Sequence, residues 1–229
     1  MQKMMFNKTY GLESEVLERL KEMTRRVVPE KLLLDAMEYG GGDIGKRNRY
    51  LIEHAPFKVG EVVAVAQSYK EIDERSIVGY KDASDIQPGM VSPIFATESP
   101  GWNNKMFVRA DLMPNQIRIT DIKVEQLQDI TDEDCGKEGI VPFTWRQWLK
   151  QEFGDFGPQK YKDWNVWTLP KFTEGLSDPW GDSDPNEFMA DSPRAAFAVL
   201  IDRVSGKGTW ESNPLVYAYT FELLETNKQ

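Results

Sequence analysis

Leu17-Glu18-Arg19-Leu20-Lys21-Glu22-Met23-Thr24-Arg25-Arg26 sets a lysine, a hydroxyl and paired arginines at the end of an amphipathic segment, in a 229-residue chain of net charge −9. Leu12, Val16, Leu17, Leu20 and Met23 recur at helical spacing, which predicts a helix over residues 13–23 with its apolar face on the core. Glu15 with Arg19, and Glu22 with Arg26, are then i,i+4 pairs worth roughly 0.2–0.5 kcal/mol each. That arrangement is a solvated helix face laced with ion pairs. The other reading is a basic site, because the local charge opposes the global balance. Residues 1–60 hold 11 Lys and Arg against 9 Asp and Glu, and the remainder holds 17 against 28. A polyanion or nucleotide, if one binds, is therefore expected on the N-terminal quarter, whereas wrapping of a long duplex is opposed by the overall charge.

The length is enough for one large domain that buries roughly 70% of its unfolded surface, and the chain is read as a single unit with loop-rich insertions at 67–114 and 154–191. Cys135 and His54 stand alone as soft ligands, too few for a structural zinc site, so no metal and no cofactor are expected. No apolar run approaches a membrane span and no signal peptide is evident, which points to a cytoplasmic protein with no membrane partner.

Outward from the opening stretch, Pro29 and the stripe Leu32, Leu33, Ala36 and Met37 predict a short helix stopped by Gly40-Gly41-Gly42. Gly40, Gly45 and Lys46 match the spacing of a phosphate-binding loop. Arg47 stands where Ser or Thr must reach Mg²⁺, however, and a helix precedes the motif, so a flexible, locally basic loop (Lys46, Arg47, Arg49) is expected instead. Residues 62–66 read as a buried strand, with His54 a hydrogen-bonded structural residue at its mouth. Residues 94–96 are a candidate short strand.

Residues 116–128 alternate as a strand that changes phase near Thr120 and Asp121, as a bulge would make it. Thr131 then caps a short helix with Asp134 at its third position, and Gly139 ends it. Glu138 falls in the last turn, where the helix dipole tends to raise a carboxyl pKa. A helix is expected around 144–152. The stretch after it is rich in Gly, Pro, Asp and Trp (Trp164, Trp167, Trp180) and reads as a lid or an insertion, its tryptophans pinning it to the core or stacking on a base. Ser192-Pro193 begins the clearest helix (Phe197, Leu200, Ile201, Val204; Gly206 as stop), and residues 215–223 form a central strand apolar on both faces.

This order, from Lys21-x-x-Thr24-Arg25-Arg26 through Phe57-Lys58-Val59-Gly60-Glu61-Val62-Val63 to the bent strand ending in Leu127-Gln128-Asp129-Ile130 and a terminal strand, resembles the ASCH domain family. The likeness is greatest to its larger phage and prophage members. The resemblance implies an α+β, PUA-like fold, a small mixed β-barrel with flanking helices and irregular insertions. It implies a cleft at Lys21, Thr24, Arg25 and Arg26 that takes RNA or a modified nucleoside. One bacterial branch deacetylates N4-acetylcytidine with a lysine, a threonine and a glutamate, which fall here on Lys21, Thr24 and Glu138. Arg19 stands where the family has glycine two residues before the lysine, and Glu22 follows the lysine where Thr is common.

Three functions are carried forward. The first is an RNA- or nucleoside-binding module. The second is an amidohydrolase whose lysine, its pKa lowered in a pocket shared with Arg25 and Arg26, works with Thr24 and Glu138. The third is a phage-derived accessory protein that meets a protein partner through the acidic Trp-rich insertion.

Overall fold

Residues 215–223 are apolar at nearly every position, as a strand buried on both faces requires, and the sheet is built around them. In the computed structural model, which describes residues 1–72, 100–144, 165–173 and 189–224, seven strands are present. They are β1 (Lys3–Met4), β2 (Met23–Val27), β3 (Val62–Val65), β4 (Gln116–Gln126), β5 (Val141–Thr144), β6 (Asn165–Thr168) and β7 (Leu215–Leu223). Five form a mixed sheet in the order β1-β3-β4-β7-β2, and β5 pairs with β6 in a separate hairpin. The β1–β3 pairing is parallel and the other three are antiparallel.

The β4–β7 ladder slips between Ile119 and Asp121, which is the bulge expected at Thr120. It moves the buried set from Ile117 and Ile119 to Ile122 without breaking the pairing. Among the described residues the sheet does not close into a barrel: β1 and β2 remain its edges. The edges are nevertheless tied, because the Arg26 guanidinium donates to the Met5 carbonyl just after β1 and lies over the Phe6 ring.

The helices are α1 (Leu12–Leu17), α2 (Glu30–Gly40), α3 (Ile44–Glu53), α4 (Asp132–Lys137), α5 (Pro193–Ser205) and α6 (Thr209–Ser212). α1 stops six residues short of the expected end. Glu18 caps it, Arg19 turns the chain at φ 62, and Met23 already belongs to β2. Thr24, Arg25 and Arg26 therefore lie on an edge strand, not a helix, and the Glu15–Arg19 and Glu22–Arg26 pairs do not form. Arg19 donates to the Leu223 carbonyl at 3.2 Å, and Glu15 is buried.

The expected basic loop is α3. Asp43 is its N-cap and accepts from the Lys46 N–H at 3.0 Å, so a carboxylate holds a helix start where a phosphate loop would hold its ligand. His54, at the C-cap of α3, hydrogen-bonds the Tyr50 carbonyl at 2.8 Å and stacks on the Tyr50 ring.

The core contains Phe6, Leu51, Ile117, Ile119, Leu127, Ile130, Phe197, Tyr217 and Tyr219, and the Tyr217 hydroxyl donates to the Leu51 carbonyl. Trp167 packs half-buried on this core, its backbone bridged to Ala190. Trp164, Trp180, the candidate strand at 94–96 and all but the start of the expected helix at 144–152 lie outside the described residues. Thr144 ends β5. No described helix is long and apolar enough to cross a membrane.

Candidate functional site

Four backbone hydrogen bonds fix the loop that carries Lys21. The Leu20 and Lys21 N–H groups both donate to the Glu15 carbonyl, the Glu22 N–H donates to the Lys137 carbonyl at 2.8 Å, and the Glu22 carbonyl accepts from Phe221 on β7. The loop is thereby clamped between the last turn of α1, the end of α4 and the central strand. Lys21 is left pointing inward, 2% exposed.

α4 supplies its partner. Thr131 caps the helix by accepting from the Asp134 N–H at 3.1 Å, and Gly139 at φ 100 turns the chain out of it, as a left-handed glycine after a helix does. Between these signals the helix is only six residues long, so Glu138 at its C-cap is delivered to the Lys21 loop. The Lys21 ammonium donates to the Glu138 carboxylate at 2.5 Å and to the Glu138 main-chain carbonyl at 2.8 Å.

Arg25 completes the charge network. One guanidinium nitrogen donates to the other Glu138 oxygen at 3.0 Å, and a second donates to Asp134 at 3.0 Å and Glu125 at 2.7 Å, while the ring of Phe197 lies beneath it. Burial works against its charge, but the Glu138 and Glu125 carboxylates more than offset that and its pKa is raised. Arg26 shows the opposite balance. Burial lowers its pKa, only partly countered by Glu138, and its Nε has no hydrogen-bond partner.

Lys21, Thr24, Arg25, Arg26 and Glu138 line one cavity of about 280 Å³. They come from a loop, an edge strand and a helix end, and Lys21 and Glu138 are 117 positions apart in the chain. The lining also has apolar residues, among them Leu200, Ile201 and Val204 of α5, together with Phe197, whose ring lies against Arg25, and Phe6, whose ring lies against Arg26. Ser192 caps α5, accepting from the Ala195 N–H, and Pro193 starts it. The cavity thus combines charged groups with apolar side chains able to contact an apolar or aromatic group. The Thr24 side chain is buried, lines the cavity and makes no hydrogen bond to another described residue.

All four residues expected to form the cleft line this cavity, and so does Glu138. Their setting differs from the expectation in one respect: Arg25 is saturated by three carboxylates, which leaves Arg26 as the guanidinium with an uncommitted donor. The geometry also adds Glu15, a buried carboxyl on α1 whose two oxygens have no hydrogen-bond partner. Burial pushes its pKa up to about 8, opposed by the charge of Lys21 and reinforced by those of Glu18 and Glu138. A sequence signal for it exists, since Leu12, Glu15 and Val16 fall on one helix face and both of its neighbours there are buried. Cys135 lies within the same helix as Asp134, but burial pushes its thiol up to about 12 and removes it as a nucleophile at neutral pH. No group of three potential metal ligands occurs among the described residues. Comparison of the chain with protein-family models, curated proteins and solved structures returned no match.

Proposed function

We propose that the cavity is the active site of an amidohydrolase acting on a small acylated amine the size of one modified nucleoside, with an N4-acylated cytidine the first candidate, on a PUA-like frame of the ASCH type. The observation that carries the reading is that Lys21, Thr24 and Glu138, brought from separate parts of the chain, line a single cavity, with the ammonium and carboxylate in direct contact. The reading is also supported by Arg19. The position where ASCH proteins have glycine is here at φ 62, a conformation that glycine adopts without strain.

The chemistry uses each group once in each direction. A proton passes from Lys21 to Glu138, leaving a neutral amine and a neutral acid in place of a buried ion pair, whose charges are costly to keep out of water. The amine takes the Thr24 hydroxyl proton as the oxygen attacks the amide carbonyl, and the free Arg26 Nε–H steadies the developing oxyanion. Glu138 returns its proton to the leaving amine as the C–N bond breaks. The Lys21–Glu138 ion pair is thereby restored, and a water then attacks the Thr24 ester, its proton relayed through the pair to the departing Thr24 oxygen as the carboxylic acid is released and the hydroxyl regenerated. The apolar side chains of α5 take the acyl group or the base.

A cavity equal in volume to about nine liquid waters admits one nucleoside but not a folded RNA segment. The saturation of Arg25 by carboxylates further weakens the case for phosphate contacts. The test is incubation with N4-acetylcytidine and related acylated nucleosides, resolved by chromatography. Hydrolysis that is lost in Lys21→Ala, Thr24→Val and Glu138→Gln supports the reading. Saturable binding without turnover would replace it with the binding module, and neither binding nor turnover would remove the nucleoside altogether.

A further inference from the structure

Among the described residues, Glu15 is the one buried acid beside this site whose carboxyl has no partner. Its side chain is 2% exposed, and neither carboxyl oxygen accepts a hydrogen bond from a described residue. The neighbouring acid on the same helix, Glu13, by contrast pairs with Lys105 at 2.9 Å. A carboxyl without a partner in such a place is expected to be excluded or replaced by an apolar residue, because leaving it ionised and unpaired is expensive. Instead the fold makes room for it. A methyl group on Gly139 would come within 2.2 Å of the Glu15 carboxyl oxygen, so the side chain occupies the space that the missing Cβ of Gly139 leaves, directly after Glu138.

Its main-chain carbonyl receives the N–H groups of Leu20 and Lys21, so Glu15 also anchors the loop whose charge it faces. The charged groups around it are Glu18 on its own helix, Lys21 on the loop and Glu138 at the end of α4. From the other side it meets the backbone at Gly139.

We infer that Glu15 is a positioning residue of the Lys21–Glu138 pair: neutral while that pair exchanges its proton, and, once ionised, the charge that locks the proton on Lys21. The inference rests on the reading that Lys21 reacts as a neutral amine. Its physics is simple. Moving a proton from Lys21 to Glu138 removes one positive and one negative charge, so an ionised Glu15 would lose an attraction and be relieved of a repulsion. The attraction by Lys21 is the larger of the two, and transfer is therefore opposed when Glu15 carries charge and unopposed when it is protonated. Burial keeps it protonated up to a pH of about 8, so the lock engages only on the alkaline side.

The experiment follows two resonances in the wild-type protein: the glutamate carboxyl ¹³C signals and the Lys21 Cε signal, titrated from about pH 5 to about pH 10. Glu15→Gln and Lys21→Arg assign them. The expected result is one carboxyl that titrates close to pH 8, with the Lys21 signal moving in the same step. In Glu15→Gln that step in the Lys21 signal is gone, and Glu15→Asp restores it. In turnover of an acylated nucleoside, wild-type kcat/KM falls about tenfold one pH unit above the step, while Glu15→Gln retains its plateau there. A carboxyl set that titrates wholly in the ordinary range, or a Lys21 signal indifferent to the Glu15 step, overturns the inference. Should no form hydrolyse any amide while the two signals still move together, the proposed reaction falls and the coupling of Glu15 to Lys21 stands. The wild-type titration alone decides if the glutamine variant does not fold.

Discussion

Replacing Glu15 by glutamine removes a titration that the folded chain resists, and the stability consequence has a definite sign. The carboxyl has an ordinary pKa of 4.5 in the unfolded chain and about 8 in the folded one. Between these values the native state holds a proton that the unfolded state has released. Fewer protons are bound on unfolding, so stability falls as pH rises through this window and is level below it and above it. At roughly 1.4 kcal/mol for each pH unit, the loss reaches about 3 kcal/mol by pH 7 and roughly 5 kcal/mol beyond pH 8.

Glutamine is close in shape and cannot ionise. Its buried amide carries a constant cost of about 1–3 kcal/mol if it finds no partner, which shifts its curve without tilting it. The quantity to measure is therefore the difference between wild-type and variant unfolding free energies by urea denaturation at several pH values from about 4 to about 9, in which the titrations of groups remote from Glu15 cancel. The variant is expected to gain on the wild type by about 3 kcal/mol between the acid end and neutrality. A difference that stays level to within about 1 kcal/mol would refute the argument, because it would mean that Glu15 ionises in the folded chain as easily as in the unfolded one.

Arg19→Gly relieves a left-handed backbone at the loss of one exposed hydrogen bond, and is expected to leave stability unchanged or raise it by up to about 1 kcal/mol in thermal unfolding. Gly139→Ala meets both a positive φ and the Glu15 carboxyl, so a loss above about 2 kcal/mol is expected, and combining it with Glu15→Ala should recover part of it, as read by denaturant midpoints. Glu138→Ala strands Lys21 and Arg25 without their shared carboxylate and should cost about 3–5 kcal/mol, whereas Lys21→Met with Glu138→Leu should recover most of that in a double-mutant cycle. Cys135, with its thiol pushed up to about 12, should resist alkylation at neutral pH until the chain is unfolded, which mass spectrometry of iodoacetamide-treated protein would read.

Those parts of the fold whose signals are local were legible in the sequence. The two-sided apolar run of β7 marks a central strand, the change of parity in β4 marks the bulge at Thr120, and Thr131, Ser192 and Gly206 mark helix ends by their side chains or by the lack of one. The opening stretch misleads because Leu20 and Met23 continue the helical spacing by coincidence. Leu20 is in fact 41% exposed on the loop, and Met23 is buried by the strand. Nothing local signals the end of α1, since the residue that turns there is an arginine and not a glycine. The triple glycine at 40–42 does stop α2, as its reading predicts, but the flexible loop expected after it is absent, because Asp43 restarts a helix at once. Of the site, Lys21, Thr24, Arg25 and Arg26 stand out locally as a basic run and Glu138 as a helix-end carboxyl, but their convergence was reachable only through a resemblance, as it depends on the β2–β7 pairing and on the Glu22–Lys137 hydrogen bond, neither of which any local pattern encodes.

The charge network itself argues that the site is more than a structural device. Lys21, Arg25, Asp134 and Glu138 are all buried, and with Glu125 they form a chain of ion pairs in which every contact lies between 2.5 and 3.0 Å. Such pairs rarely contribute net stability, because taking the charges out of water costs nearly as much as their attraction returns, and well-packed apolar residues in the same volume do as well or better. The centre of the network is uniformly dry, the side chains of Lys21, Arg25 and Glu138 each being 3% exposed or less, yet all three line the cavity, which Arg26, with its Nε–H unpartnered, lines as well. Arg25 orients Glu138 through one oxygen and leaves the other to Lys21. In the proposed reaction that division leaves one carboxylate oxygen held by Arg25 and the other in contact with Lys21, the oxygen through which the proton would pass.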